Sequence, residues 1–250
     1  MNFIKKTNLL FALTAIGFAS TPEVFATDFS LKNTVTKKTD QTETRNVSGF
    51  HGIKVSAGID VYITQGTTEK VTVTADDDVI GKIKTVVKNG VLEIYEEKSS
   101  WSSWSWNNQT RKVYVTAKDL NSIVASSGSD VSSTNQIKAN KLFTEASSGA
   151  DLKLNLNVNE LICETSSGSD AELSGTAKSF NVKSSSGSDV DAYKLTSTIC
   201  VAQASSGSDI DITVTQQLTA DASSGGDISY KGNPKNVKKN ESSGGDISAN

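Results

Sequence analysis

A Ser-Ser-Gly-x-Asp signature occurs seven times in the second half of this 250-residue chain, and its spacing constrains the fold more than any other feature. The copies read SSGSD at residues 126–130, SSGAD ending at Asp151, SSGSD ending at Asp170, Asp189 and Asp209, and SSGGD ending at Asp227 and Asp246. Successive aspartates lie 21, 19, 19, 20, 18 and 19 residues apart. A fixed period with small insertions marks stacked repeats, and about 19 residues suits one coil of a β-solenoid.

Around each signature the apolar residues keep fixed offsets. One set follows the aspartate by one and three residues: Leu152 and Leu154, Ala171 and Leu173, Val190 and Ala192, Ile210 and Ile212, Ile228 and Tyr230. This is the period-two alternation of a strand with one buried face. A second set precedes the next aspartate by nine and seven residues, as in Leu161 with Cys163 and Phe180 with Val182. In the coil that carries a one-residue insertion, Ile199 and Val201 are read as this set, displaced. Ser-Ser-Gly supplies an unhindered left-handed position and hydroxyls for local amides, so each coil is expected to run strand, turn, strand, turn. A helical repeat is excluded because Gly and Asp recur in mid-pattern and no 3.6-residue periodicity lasts three turns.

One coil cannot bury its own inward residues, whereas stacked coils close a continuous core. The expected fold is therefore all-β, a right-handed parallel β-helix with coils of about 19 residues, its hand following from the rule for parallel crossovers. The last coil, residues 233–250, carries Lys235, Lys238, Lys239 and Glu241 where earlier coils carry apolar residues, as suits a polar cap over an open edge.

The first half divides into three parts. Lys5 and Lys6 precede an apolar run at residues 9–19, too short to span a bilayer, so residues 1–26 read as a secretory signal cleaved after Ala26, with Ala19 as a second candidate. Residues 27–45 are polar and unpatterned and read as a flexible lead-in, with order beginning near Val47. Residues 46–120 form an N-terminal β region of the same stacked design, ahead of the repeat helix at 121–250. In it, SAGID at residues 56–60 reads as a degenerate eighth signature. Strands are expected at 70–75, 83–88, 91–96 and 112–117, with Asn89-Gly90 as a hairpin turn.

The segments FHGIKVSAGIDVYITQG, VKNGVLEIYEE and RKVYVTAKDLNSIVASSGSDV carry a resemblance to the head-GIN-domain family of auto-transporter adhesins. The resemblance covers residues 45 to 250, although Asp60 stands where the family name implies Asn. It implies a right-handed β-helix in a bacterial cell envelope with an adhesin-like role. No set of ten-residue membrane strands resembles a carboxy-terminal barrel, so the chain is not expected to export itself.

Only two arginines occur, Arg45 and Arg111, and residues 126–250 hold 10 Lys against 15 carboxylates, a net of −5. Nucleic acid and other anionic polymers are poor partners for such a surface. No stretch of 18 apolar residues follows the signal, so the mature chain has no transmembrane segment. The expected location is the periplasm, the outer membrane's surface or the cell surface. Cys163 and Cys200 fall two coils apart, roughly 9–10 Å at ~4.8 Å per strand, too far for a disulfide. Free thiols are expected.

Two features are candidate sites. Asp130, Asp151, Asp170, Asp189, Asp209, Asp227 and Asp246 would stack in one row, repelling by ~0.9 kcal/mol per neighbouring pair even at the dielectric of water. Hydrogen bonds from turn amides and serine hydroxyls would offset this. The alternative is a calcium ladder. The same stripe could hydrogen-bond a neutral glycan. The second candidate is Trp101-Ser102-Ser103-Trp104-Ser105-Trp106, holding all three tryptophans of the chain among Ser and Asn. Exposed aromatics of this kind stack on sugars or sit at membrane interfaces, and the competing reading is a lid over the solenoid's end.

His51, the sole histidine, has no nucleophile or metal partner in the sequence. Asp189 with Asp191, and Asp209 with Asp211, imitate a glycosidase pair but lie on one strand face without a cleft. No motif calls for a cofactor. The sequence thus points to an exported, non-enzymatic, adhesin-like protein contacting glycan or an envelope or host protein. A purely structural solenoid and a polysaccharide-cleaving β-helix are the alternatives.

Overall fold

The computed structural model describes residues 40–97 and 109–250. The signal segment, residues 27–39 of the lead-in and Trp101, Trp104 and Trp106 lie outside the described residues. From β8 (Ser122–Ser126), β9 (Asp130–Ser133) and β10 (Ile137–Ser147) the chain winds through β11 (Asp151–Ser166), β12 (Asp170–Ser185), β13 (Asp189–Ser205) and β14 (Asp209–Ser223). It finishes with β15 (Asp227–Lys231), β16 (Asn236–Ser242) and β17 (Asp246–Ala249). Each coil pairs in parallel with the next, giving a β-solenoid of about seven turns.

The coil has one turn rather than two. β11 to β14 each run without interruption from a signature aspartate to the first serine of the following signature. The second corner is a bend inside a paired strand. In β11 the buried positions alternate through Val158, then Asn159 and Glu160 both face outward before Leu161 turns in again. Two successive outward residues reverse the phase, so the chain bends around the core while the pairing skips only Asn159 and resumes at Glu160.

The inward side chains stack into columns. Val131, Leu152, Ala171, Val190, Ile210, Ile228 and Ile247 form one, and Leu142, Leu161, Phe180, Cys200 and Leu218 another, all buried. The second column corrects one expectation. Ile199 and Val201 point outward, 40% and 38% exposed, and Cys200 with Ala202 faces the core. The inserted residue is taken up earlier, where Glu172 and Ser174 pair with Asp191 and Lys194. A local bulge there, ahead of the bend, is less costly than turning a whole strand over, because a one-residue slip would expose every inward side chain beyond it. Cys163 lies in register with Val182 while Cys200 lies in register with Phe180, so the thiols differ in both coil and column. Both are free and buried.

The N-terminal region continues the stack but in a different chain order. β2 (Gly52–Val55) and β3 (Asp60–Gln65) flank the SAGID turn and pair in parallel with β8 and β9. β6 (Val91–Glu96) and β7 (Arg111–Ala117) pair in parallel with β2 and β3 on the other side, forming a further coil. Antiparallel strands then flank that coil: β5 (Ile83–Lys88) on β6, β4 (Lys70–Asp76) on β7, and β1 (Asp40–Arg45) on β4. Asp40–Arg45 is therefore a paired strand inside the segment expected to be flexible. β1 shows no apolar periodicity because its residues lie beyond the core; ladder hydrogen bonds and a Thr42–Thr74 hydroxyl pair at 2.9 Å hold it.

Both ends of the core are closed by specific side chains. Val79 and Ile80, in the connection from β4 to β5, are buried, and the Arg45 guanidinium donates to the Ile80 carbonyl at 2.8 Å while pairing with Glu43. At the other end, Lys239 and Glu241 occupy the inward columns of Ala220 and Ala222. Lys239 Nζ donates to the Ile247 carbonyl at 2.7 Å, and the Ile247 amide donates to Glu241 Oε1 at 3.1 Å. Charges at core-facing positions of a last coil obstruct addition of a further strand.

Candidate functional site

In all seven signatures the second serine and the glycine both have left-handed φ, as with 56° and 67° at Ser127 and Gly128 and 51° and 80° at Ser243 and Gly244. Ala57 and Gly58 in the SAGID turn do the same, at 73° and 64°. With both residues left-handed the chain reverses in the fewest residues, and each turn lies flat on the next. The glycine amide donates to the second serine's carbonyl one coil on, as Gly168 does to Ser186 at 3.2 Å and Gly187 to Ser206 at 3.1 Å. The aspartate amide donates back to the preceding coil, Asp189 to Ser169 at 3.1 Å.

The variable fourth position is an interior column: Ser129, Ala150, Ser169, Ser188 and Ser208 are all buried. Its hydroxyl accepts from the first serine's amide, at 3.1 Å for Ser166–Ser169, 3.2 Å for Ser185–Ser188 and 3.0 Å for Ser205–Ser208. Ser169 donates to the Ala146 carbonyl and Ser208 to the Ser184 carbonyl. The turn is thus satisfied by this serine and by bonds between coils. The signature aspartates, expected to do that work, stand exposed outside it.

They form a row in strict register, Asp130 beside Asp151 and onward through Asp170, Asp189, Asp209 and Asp227 to Asp246. Asp60 extends it, flanked by Asp130 and by Lys112. Partial burial, and then the neighbouring carboxylates, hold Asp130, Asp170 and Asp209 above the ordinary value. Aspartate amides also bond along the row, Asp209 to Asp189 Oδ1 at 3.3 Å and Asp189 to the Asp170 carboxylate. No three His, Cys, Asp or Glu groups among the described residues are gathered as a metal ion requires.

The tryptophans fall in a segment whose root is described. Val55 pairs with Ile94 and Asp60 with Lys112, so residues 95–111 stand where the next coil has the four-residue turn 56–59. Glu96 and Arg111 close the root at 3.2 Å, and Gln109 bonds both Arg111 and Asp78. His51 is exposed, its ring against Gly90 and its amide donating to the Gly90 carbonyl at 2.8 Å. The pairs Asp189–Asp191 and Asp209–Asp211 lie on the outer side of their strands, where Asp191 accepts from the Tyr193 amide. Two shallow depressions, of about 320 and 460 Å³, are lined by Val201, Gln203 and Lys238 and by Asp119, Asn140 and Asn157. Neither contains His51 or those carboxylate pairs.

A surface missed by the sequence reading lies on the outer face of β9, β3, β7, β4 and β1. Tyr62 and Tyr114 stack across β3 and β7, with ring centroids 5.2 Å apart and planes 19° from parallel. Ser132, Tyr62, Tyr114, Thr72 and Thr44 form one cross-strand row. Thr74 and Thr42 lie in the row on one side, and Thr134, Thr64 and Thr116 in the row on the other. Each strand alternates clearly, but the face joins strands in the spatial order β9-β3-β7-β4-β1, which no sequence period displays.

The family described as "Putative auto-transporter adhesin, head GIN domain" matches residues 49–234. A crystal structure of a "putative adhesin" from Bacteroides fragilis is similar at a TM-score of 0.78 and 22% identity, covering 85% of this chain and 98% of that one. A "putative lipid binding protein" from Parabacteroides distasonis is similar at 0.66 and 19%, covering 84% and 96%. A "putative adhesin" from Parabacteroides merdae is similar at 0.65 and 19%, covering 86% and 97%. At these identities the likeness carries the fold. No curated protein matches the chain in sequence. The stacked coils, the shared order of parts and the match over most of its length make this chain a member of the head-GIN-domain adhesin family.

Proposed function

We propose that the protein is an exported, adhesin-like binding module of the cell envelope that contacts glycan or an envelope or host protein and catalyses no reaction. Its place of work is the periplasm, the outer-membrane surface or the cell surface. The observation that carries this reading is the long connection from β6 to β7, which stands in place of a four-residue turn at one coil of an otherwise regular stack. The connection that breaks the repeat carries all three tryptophans of the chain, Trp101, Trp104 and Trp106, and amphipathic aromatics concentrated in this way suit stacking on a partner. Exposed carboxylate pairs on a strand, with no cleft around them, do not favour glycan cleavage.

The test is binding of the purified protein to glycan arrays, bacterial envelopes and host cells. The Trp101→Ala/Trp104→Ala/Trp106→Ala variant should lose most of that binding while melting like the wild type. Undiminished binding would remove the loop from the reading.

A further inference from the structure

We propose that the outer face of β9, β3, β7, β4 and β1 is a binding platform for a neutral glycan, centred on the Tyr62–Tyr114 pair. This deepens the adhesin-like reading and rests on it, but uses none of the tryptophans.

The face is one continuous paired sheet, β9-β3-β7-β4-β1, whose strands lie ~4.8 Å apart. At its centre Tyr114 is 44% exposed and Tyr62 half-buried, an unusual place for a stacked aromatic pair on an outer sheet face. Around them stand Thr42, Thr44, Thr64, Thr72, Thr74, Thr116 and Thr134. Bonds of 2.9 Å between Thr42 and Thr74 hydroxyls and of 2.6 Å between those of Thr64 and Thr134 fix part of this array. The tyrosine row itself carries no charge. Lys112 and Asp60 oppose one another in the row toward the turn, and Lys70 lies in the row beyond.

An aromatic body with a hydroxyl tip stacks on the C–H face of a sugar ring while bonding its hydroxyls. β-branched threonines on paired strands have little rotamer freedom left to lose, so binding would order few side chains. A neutral polyhydroxylated chain matches this charge balance. An anionic one would meet the row from Asp60 and Asp130 along one margin. A lipid surface would lay threonine hydroxyls against acyl chains.

The experiment measures binding of the full chain to immobilised neutral glucan, mannan and galactan. Tyr62→Ala/Tyr114→Ala should weaken binding by about tenfold or more, as loss of two stacking rings implies. Tyr62→Thr/Tyr114→Thr, which keeps strand propensity, should do the same with unchanged melting, which separates lost binding from lost folding. Thr72→Val/Thr74→Val, isosteric but without hydroxyls, should weaken it severalfold. Full binding by both tyrosine variants overturns the proposal. So does wild-type protein that binds none of the polymers, or that binds phosphatidylcholine vesicles instead with the same tyrosine dependence. If the triple tryptophan variant loses envelope binding while glycan binding is insensitive to the tyrosines, the parent reading stands and the platform fails. Tyrosine-dependent glycan binding in the triple tryptophan variant supports the platform and shifts recognition away from the loop.

Discussion

Gly175 sits within β12, outside every copy of the signature, and the stack depends on its lacking a side chain. Its φ is +105°, beyond the left-handed well that other residues tolerate, and a Cβ there would meet the Leu156 carbonyl oxygen at 1.9 Å. That carbonyl belongs to the paired coil below and has little room to retreat. Gly175→Ala should cost ~1–3 kcal/mol for the backbone conformation and a further ~1–3 kcal/mol for the steric conflict, less ~0.4–1 kcal/mol from a stiffer unfolded chain. The net is a loss of about 1–6 kcal/mol. Gly187→Ala is the control. It also has positive φ, +64°, but nothing lies within 4 Å of its Cβ position, so about 0–1.5 kcal/mol is expected. Urea titrations followed by circular dichroism compare the midpoints at equal slope. Equal losses in the two variants would refute the reasoning, since the two sites differ both in backbone conformation and in the space around the Cβ position.

Three further perturbations address the ends, the aspartate row and the thiols. Removing the Lys239 and Glu241 side chains as Lys239→Ala/Glu241→Ala should destabilise by about 1–3 kcal/mol, because the Ile247 amide and carbonyl lose their partners. Lys239→Val/Glu241→Val should add concentration-dependent association, read by light scattering, as the last coil becomes an apolar edge. Burial and the flanking Asp151 and Asp189 raise the Asp170 carboxyl above 3.8 in the folded protein, so the folded state holds its proton more tightly than the unfolded state. Stability from that proton is present below 3.8 and is lost as pH rises through the raised value. Asp170→Asn should therefore gain on the wild type with rising pH, with a higher urea midpoint at neutrality and parity in acid. Melting with chelator and with millimolar calcium should coincide; a clear rise with calcium would make the row a cation site. Burial pushes the Cys163 thiol up to about 11 and raises Cys200 as well, so thiol reagents should modify neither until the protein is unfolded.

The coil period, the inward columns and the signature turn were legible because in a solenoid each residue meets its counterparts one period away, so local pattern and tertiary contact coincide. Leu152, Leu161, Phe180 and Val182 were placed inward from spacing alone. The same reasoning failed at Ile199 and Val201, where apolar character suggested the core but a bulge earlier in the coil kept Cys200 and Ala202 inside. It also shared the turn's hydrogen bonds between the aspartate and the hydroxyls of the Ser-Ser pair. A residue's position in a motif does not reveal which side faces the interior of a turn, and the buried one proved to be the variable serine.

By itself, then, the sequence determined that the chain is a stack of β coils with a tryptophan-rich interruption and a polar last coil. Only the tertiary structure decided how the first 80 described residues close the other end, with β1 held by backbone pairing and Val79 and Ile80 buried. It alone gathered Tyr62, Tyr114 and seven threonines from five strands onto one face. Those contacts link residues as far apart as 42 and 134 in an order of strands unlike their order in the chain. Periodicity records only what a residue shares with its neighbours along the chain, and carries no trace of such a meeting.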